Sequence, residues 1–268
     1  MATFLSDFLD QLDEKWQEID ILLDEAKKKE SSNSNLYNAL CRSITVLLVA
    51  HLEGFTKELV RSVIQDLNKN CSFSELPQKI QKTYCTKYLG SARDKHSHSY
   101  WNKVNNLSEK FSELEANIAF EPFLTTTNKN PKPDSIKFIL SGFGVKDVFS
   151  CLHDSELDHV FSGTNREVRA SIKKQRKILK ESLVVFPYSC EESRLDLQES
   201  GGKIPRRTLW QEFLDEINMK RHEVAHGNDF DNTESAEVLE TRRDKVVFLQ
   251  LGLVELLASV ITKNIKIN

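Results

Sequence analysis

The sequence has 268 residues with a nearly balanced charge, 37 Lys and Arg against 40 Asp and Glu. A net charge of −3 argues against a uniformly basic nucleic-acid-binding protein, so any nucleic-acid site has to be a local basic patch. Nine Gly and six Pro are few for this length, which disfavours a turn-rich β architecture.

Three long helices are predicted, and they supply most of the core. The first spans residues 3–29, where apolar residues repeat at alternating spacings of four and three. The second spans residues 36–68 and is apolar nearly all round in residues 44–50, as expected for a helix that is buried on several sides. The last spans residues 235–263 and is densely apolar in residues 246–261.

The region between the long helices is less regular. We predict a helix start over residues 74–77 with Pro77 in its first turn, a polar loop over residues 93–98 and a linker over residues 128–133. His96 and His98 belong to this loop, and a solvated loop is favoured over a metal site because no Cys or carboxylate cluster lies beside them.

Three further helices follow in the second half. They span residues 134–141, residues 165–181 and a stretch from Thr208 to a glycine stop at Gly227. A polar loop then offers N-cap oxygens for the last helix at residues 231–233. The prediction is an all-α fold in one domain over residues 1–268, a helical bundle of long antiparallel helices with additional short ones.

The sequence also predicts the compartment. The five cysteines are scattered without a Cys-x-x-Cys pair, which is typical of reduced thiols. The N-terminus is acidic and lacks the apolar region of a signal peptide. Because the most apolar runs are short or interrupted by charge, we predict a soluble cytoplasmic protein with no membrane partner.

The strongest charge bias lies in the helix over residues 165–181. It contains seven Lys and Arg residues, and the single acid between the first and the last of them is Glu167. Clustered Lys and Arg attract the phosphate backbone whatever its sequence, so this helix is a candidate RNA-binding track; the alternative is a solvated face without a ligand. The candidate RNA-binding residues are Arg166, Arg169, Lys173, Lys174, Arg176 and Lys177.

Residues 221–227 read Arg-His-Glu-Val-Ala-His-Gly and allow two chemical interpretations. The first is His-Glu-x-x-His, in which His222 and His226 bind zinc and Glu223 is the general base. The predicted helix stop at Gly227 disfavours it, since the second ligand would lie on a fraying turn. A third ligand would have to be a glutamate, and the candidates are Glu234, Glu237 and Glu240.

The second interpretation is Arg-x4-His, a metal-independent ribonuclease pattern. A neutral His can take or deliver a proton near pH 7, and the planar Arg can bind a phosphate and stabilise its transition state. On an ideal helix Arg221 and His226 point about 140° apart. They reach one phosphate only if the helix end is distorted or a second copy of the site lies opposite. The second option predicts a symmetric dimer.

The Arg-x4-His stretch, including Ala225-His226-Gly227, resembles the motif of the HEPN superfamily. Residues 50–58 (Ala-His-Leu-Glu-Gly-Phe-Thr-Lys-Glu) are similar to the second-helix signature of its MAE-type branch, and residues 137–145 resemble the middle segment of that branch. The resemblance covers most of the chain in the right order. It gives no role to a basic segment and loop at about residues 165–203, which we predict to be a variable insert.

The resemblance implies a metal-independent endoribonuclease without cofactors, acting in a composite cleft of a homodimer. Carried onto this chain, it makes Arg221 the phosphate-binding residue, His226 the acid and base, His222 an assisting group and Glu53 an orienting group. His51 and Glu53 otherwise read as surface or satisfied core residues. Such proteins are commonly toxins or phage-defence effectors, so an antitoxin or defence-system protein is a possible partner. A non-catalytic RNA-binding or partner-binding module and the zinc hydrolase stay open as alternatives.

Overall fold

A computed structural model describes residues 2–89, 97–124, 131–153, 155–190, 206–227 and 234–265. Those residues form nine α-helices and three short 3₁₀ segments, with no strand among them, which confirms the all-α prediction. The α-helices are α1 (Phe4–Lys29), α2 (Ser34–Asn70), α3 (Gln78–Thr86), α4 (His98–Glu113), α5 (Pro133–Ser141), α6 (Val148–Leu152), α7 (Asn165–Ser182), α8 (Leu209–Ala225) and α9 (Ala236–Asn264). The 3₁₀ segments are Phe73–Glu75, Glu121–Phe123 and Glu156–Phe161.

Helices α1 and α2 form an antiparallel hairpin, as the short polar turn between them requires. The Thr3 hydroxyl accepts a hydrogen bond from the Ser6 amide, and the Asn33 side chain caps α2 by accepting from the Leu36 amide. The predicted apolar stripe of α1 is buried along its whole length. The two helices therefore pack lengthwise and form one wall of the core.

Helix α9 lies at the centre of the molecule. Each residue from Val246 to Ile261 is buried, and α1, α2 and α7 pack around it. The Trp16 indole in α1 donates a hydrogen bond to Gln250 of α9, with 3.0 Å between Nε1 and Oε1. This bond satisfies the buried indole nitrogen.

Helices α2 and α9 are each long and apolar enough to cross a membrane, judged by length and composition alone. In α9, 83% of the most apolar 18-residue window is buried inside the protein, against 44% in α2. The 83% burial of α9 is typical of the central helix of a helical bundle.

Two local predictions were wrong. Residues 97 and 98 do not continue a loop, because the Ser97 hydroxyl caps α4 and His98 is its first residue. Pro77 precedes α3 instead of lying in its first turn. The cap of α9 is Ser235, whereas the predicted cap residues 231–233 lie outside the described residues. His96 and residues 128–130 of the linker also lie outside them.

Helix α7 is part of the core. Its buried side chains Val168, Ile172 and Leu179 face α9, so the first half of the predicted insert packs as closely as the rest of the fold. Residues 191–203 of that insert lie outside the described residues. Whether the segment varies among relatives stays a prediction.

Candidate active site

Helix α8 presents the Arg-x4-His motif from a well-anchored first half. Thr208 and Gln211 form a capping box at its start, in which each satisfies a backbone amide of the other. Trp210 and Phe213 are buried, and both rings contact Phe161 of the neighbouring 3₁₀ segment. The apolar face of α8 thereby fixes the direction in which its last turns point.

The second half of α8 is progressively exposed. Asn218 is its last buried residue, and Met219, one position on, is 53% exposed. The helix ends at Ala225, and Gly227 adopts a left-handed conformation with φ 70°. This confirms the predicted glycine stop. The motif therefore occupies the exposed C-terminal end of the helix.

The two imidazoles of the motif lie side by side at this end. His222 and His226 are both exposed, and their ring centroids are 4.2 Å apart. The His226 amide donates to the His222 carbonyl over 3.1 Å, although His226 has already left helical geometry with φ −97° and ψ 6°. A distorted helix end was one of the two options that the sequence left open, whereas the ring contact was not predicted. Either imidazole is accessible to a ligand that approaches from solvent.

Arg221 is half-buried and lies in the same turn. It makes no hydrogen bond or ion pair with any residue that the structure describes. Glu223, the nearest acid in the sequence, pairs with Lys220 over 3.0 Å. A guanidinium without a described acidic partner, on the same helix end as two exposed imidazoles, suits an anion such as a phosphate.

The zinc interpretation finds little support in the described donors. Within the described residues, no three His, Cys, Asp or Glu side chains lie close enough together to hold a metal ion. Of the three glutamates that could supply a third ligand, Glu234 pairs with Arg242, and Glu240 pairs with Lys27 and Arg169. Residues 228–233, which include two aspartates, lie outside the described part of the chain.

Glu53 lies on α2 and pairs with Lys57 one turn further on, with 2.8 Å between Oε1 and Nζ. No hydrogen bond joins it to Arg221 or to either imidazole in the described structure. Its neighbour His51 stacks near Trp16 with 5.3 Å between ring centroids, and burial lowers the pKa of this imidazole. His51 is thus a partly buried residue that packs against Trp16 and lies 3.6 Å from Glu18, while the orienting role of Glu53 stays a prediction.

The cations of α7 face acidic residues of the same chain. Arg169 pairs with Asp244 at 2.8 Å and with Glu240 at 2.9 Å, and the Asp244 hydrogen bond is the main cause of its raised pKa. Arg176 pairs with Asp13 at 2.6 Å. Longer contacts of 3.9 and 4.0 Å join Lys174 to Glu156 and Lys177 to Glu181. Among the six candidate RNA-binding residues, Arg166 and Lys173 have no ion pair within the described residues.

Two polar residues that the sequence did not single out fasten α8 in place. The Asn218 amide donates to the Leu214 carbonyl at 2.7 Å and to the Pro131 carbonyl at 3.3 Å, which joins α8 to the start of α5. Arg242 of α9, buried to 7% exposure, pairs with Glu216 and Glu234. An Asn within the apolar stripe of α8 was the one sequence signal available.

Comparison with known families identifies the architecture. The chain matches the family model described as RiboL-PSP-HEPN over residues 10–262, which is nearly its whole length. The chain belongs to the RiboL-PSP-HEPN family. This confirms the HEPN superfamily; within it, the matching family is RiboL-PSP-HEPN, whereas the sequence resemblance pointed to the MAE-type branch. HEPN domains are generally ribonucleases or RNA-binding modules. No curated protein and no solved structure matches the chain significantly.

Proposed function

We propose that this RiboL-PSP-HEPN protein is a metal-independent endoribonuclease whose chemistry resides at the end of α8. The observation that supports it is that Arg221, His222 and His226 all lie in the last turns of α8, where the two exposed imidazoles are 4.2 Å apart between ring centroids and no described acid pairs with the guanidinium. General acid–base catalysis and charge stabilisation are the two functions that cleavage of RNA requires, and these residue types supply both.

In the proposed reaction, the ribose 2′-oxygen attacks the adjacent phosphorus and the bond from phosphorus to the 5′-oxygen breaks. His226 takes the proton of the 2′-hydroxyl, and a second imidazole delivers a proton to the leaving 5′-oxygen. Arg221 stabilises the extra negative charge on the phosphorane. The products are a 2′,3′-cyclic phosphate and a 5′-hydroxyl, with atoms and charges balanced.

A homodimer is part of the proposal. Arg221 and His226 belong to one exposed helix end, and no described contact joins the guanidinium to either imidazole. A two-fold axis beside this end would place two such motifs opposite each other. The second imidazole and a second guanidinium would then come from the partner subunit.

The test is cleavage of a single-stranded RNA by the purified protein in the presence of EDTA. Cleavage that persists and leaves 2′,3′-cyclic phosphate ends is expected. Replacing Arg221 or His226 by Ala should each reduce the rate by about 100-fold or more. Loss of activity in EDTA together with about one bound zinc per chain would assign the site to the metal hydrolase instead.

No cleavage, with RNA binding retained, would make the protein a binding module. The family match supports this second candidate as well, because HEPN domains include RNA-binding modules beside ribonucleases.

The proposed cellular role is that of a toxin or phage-defence effector, restrained by a partner protein. The support is membership of the HEPN superfamily. Induced expression of the wild-type chain should arrest growth, while the His226→Ala variant should not. Equal growth of both strains, with equal protein levels, would contradict the role.

A further inference from the structure

A lysine-bearing surface lies between α3 and the segment that comprises α5 and the turn after it. The two segments run in opposite directions along this surface, as three contacts show. Lys79 lies beside Gly144, Thr83 beside Gly142, and the Lys87 ammonium lies over the Phe138 ring at 5.9 Å from its centroid. We define this surface, residues 74–88 and 131–147, as the α3–α5 seam.

The seam is basic although the whole chain is acidic. Its two stretches contain six lysines against three acids, Glu75, Asp134 and Asp147. Lys79, Lys82 and Lys87 have no ion pair with any residue that the structure describes. The α7 cations differ in this respect, because most of them face acids of the same chain. An external polyanion therefore meets less competition at the seam than at α7.

Two exposed aromatic rings flank Lys87. Tyr88 is 55% exposed and Phe138 is 50% exposed. Contacts with two other rings fix the orientation of the Tyr88 ring. Its hydroxyl donates a hydrogen bond to the Tyr84 hydroxyl at 3.1 Å, and its ring contacts Tyr84 edge-on and lies 6.0 Å from Phe111 between centroids. A fixed, exposed ring loses little freedom when a base stacks on it.

The seam also leads from a wide cleft toward the motif. At the α3 N-terminal end lies a cavity of about 1110 Å³ whose lining includes Lys79, Phe143 and Lys146. At the other end, α5 begins next to Pro131, which bonds Asn218 of α8, one helical turn before Arg221. Phe138 is five residues into α5, about 7.5 Å along its axis. Phe138 thus lies on α5 between the start of that helix, which adjoins α8, and its end, which borders the cleft.

We infer that the α3–α5 seam binds single-stranded RNA, with unpaired bases stacked on Tyr88 and Phe138 and phosphates against Lys79, Lys82 and Lys87. Alternating aromatic and basic side chains are how proteins bind single strands without reading their sequence. The inference rests on the proposed function for the identity of its ligand. It places the strand on α3 and α5 instead of on α7.

The experiment measures binding of a labelled 12-nucleotide 2′-O-methyl RNA by fluorescence anisotropy. The methyl group removes the attacking hydroxyl, so binding is read without cleavage. Tyr88→Ala and Phe138→Ala should each raise the Kd by about five-fold or more. Lys79→Ala and Lys82→Ala should each lower the slope of log Kd against log salt by about one.

The chain offers a matched control. Phe4 is 39% exposed and Lys69 lies over its ring at 5.5 Å from the centroid, so the same pair of groups occurs outside the seam. Phe4→Ala should keep the Kd within about two-fold, as should Lys173→Ala on α7. A 12-base-pair duplex of the same chemistry should not respond to the aromatic variants, because paired bases cannot stack on protein side chains.

The outcomes separate the seam from the nuclease. Tight binding of the 2′-O-methyl strand without cleavage of unmodified RNA would support RNA binding at the seam and overturn the proposed activity. Cleavage with unchanged binding by Tyr88→Ala and Phe138→Ala would overturn the seam. The seam would also be overturned if those variants changed the molar mass of the protein in solution while binding RNA normally, since the surface would then be a protein interface.

Discussion

Arg221 and Glu223 lie two positions apart in the same helical turn, yet their surroundings are opposite. Arg221 has no acidic partner among the described residues, and Glu223 is held by Lys220 at 3.0 Å. A general base has to reach the proton that it abstracts, and an ion pair with a neighbouring lysine competes for its carboxylate. At this scale the proposed ribonuclease and the zinc hydrolase make different predictions for one residue.

Replacing Glu223 by Gln should change RNA cleavage by less than about three-fold, because the proposed chemistry uses Arg221 and the imidazoles only. The measurement is the initial rate in EDTA, with Arg221→Ala as the matched variant that should lose activity. A loss of about 100-fold or more in Glu223→Gln would instead indicate that this carboxylate is the base of a zinc site.

Asp66 is a buried carboxylate that accepts three hydrogen bonds. It is fully buried and accepts hydrogen bonds from the Phe4 amide at 2.8 Å, the Leu5 amide at 3.0 Å and the Tyr188 hydroxyl at 2.8 Å. It thus caps the first turn of α1 from the far end of α2. Burial raises its pKa, while the two amides and the tyrosine hydroxyl act in the opposite direction.

Asp66→Ala should lower the free energy of unfolding by about 3 kcal/mol or more, since it leaves two amides and one hydroxyl buried without an acceptor. Urea denaturation at pH 7 measures the loss, with Asp10→Ala as a solvent-exposed carboxylate control. A change below about 1 kcal/mol would show that water replaces the carboxylate at low cost.

The pH dependence of the same site has a definite sign. Because the pKa of Asp66 is raised in the folded state, the stabilisation that comes from its protonation is fully present below the unfolded pKa of 3.8 and is lost as the pH rises through the folded pKa. Asp66→Asn is neutral at every pH, so its stability relative to wild type should improve as the pH rises from 4 to about 7. A relative stability that falls over this range would contradict the raised pKa.

At the scale of elements, α7 is the helix whose cations have a different role in the structure from the one that the sequence predicted. Its cations suggested a nucleic-acid track in the sequence, but Arg169, Arg176 and Lys180 each pair with acids of α1 or α9. The acids that pair with Arg169, Glu240 and Asp244, are 71 and 75 residues away along the chain, and those that pair with Arg176 and Lys180 are further away. The charge pattern of one segment carries no information on such partners.

Arg169→Ala should lower the free energy of unfolding by about 1–3 kcal/mol, because the nearly buried Asp244 loses one of its two cationic partners. Lys173→Ala, which removes an unpaired cation from the same helix, should stay within about 0.5 kcal/mol of wild type. Thermal or urea unfolding distinguishes them. Equal stability of both variants, with weaker RNA binding by Arg169→Ala, would restore α7 as the RNA track.

The periodicity of the sequence predicted the long helices to within two residues at each end. Their apolar stripes are long and continuous, so local pattern and tertiary burial coincide. Helix α4 was missed because only Tyr100 and Val104 are buried along its 16 residues. Two buried positions do not make a recognisable stripe, and its polar side chains resemble those of a loop.

The residues of the candidate site could be predicted from the sequence, but the contacts that hold α8 in position could not. Arg221, His222 and His226 are adjacent in the sequence, so a motif could identify them. The bond from Asn218 to Pro131 spans 87 residues, and the pair between Arg242 and Glu216 joins two helices. Such contacts depend on how the helices cross, which single-chain periodicity does not determine.

At the scale of the whole molecule, the proposed dimer makes the two motifs interdependent. We expect an equal mixture of wild type and the Arg221→Ala/His226→Ala double variant, after subunit exchange, to retain about one quarter of the wild-type activity, since only wild-type pairs hold two intact motifs. Independent sites would retain about one half. Light scattering checks that the protein is dimeric, and retention of one half would contradict the composite cleft.

The central position of α9 has a consequence for biosynthesis. A ribosome that makes the chain from its N-terminus completes α8, with Arg221 and His226, before it begins α9. Until α9 emerges, Arg242 cannot hold Glu216, and α1, α2 and α7 lack the helix around which they pack. The nascent motif is thus attached to an unfinished core while it is still beside ribosomal RNA, and the fold that would make it a working site is assembled only after translation has passed it.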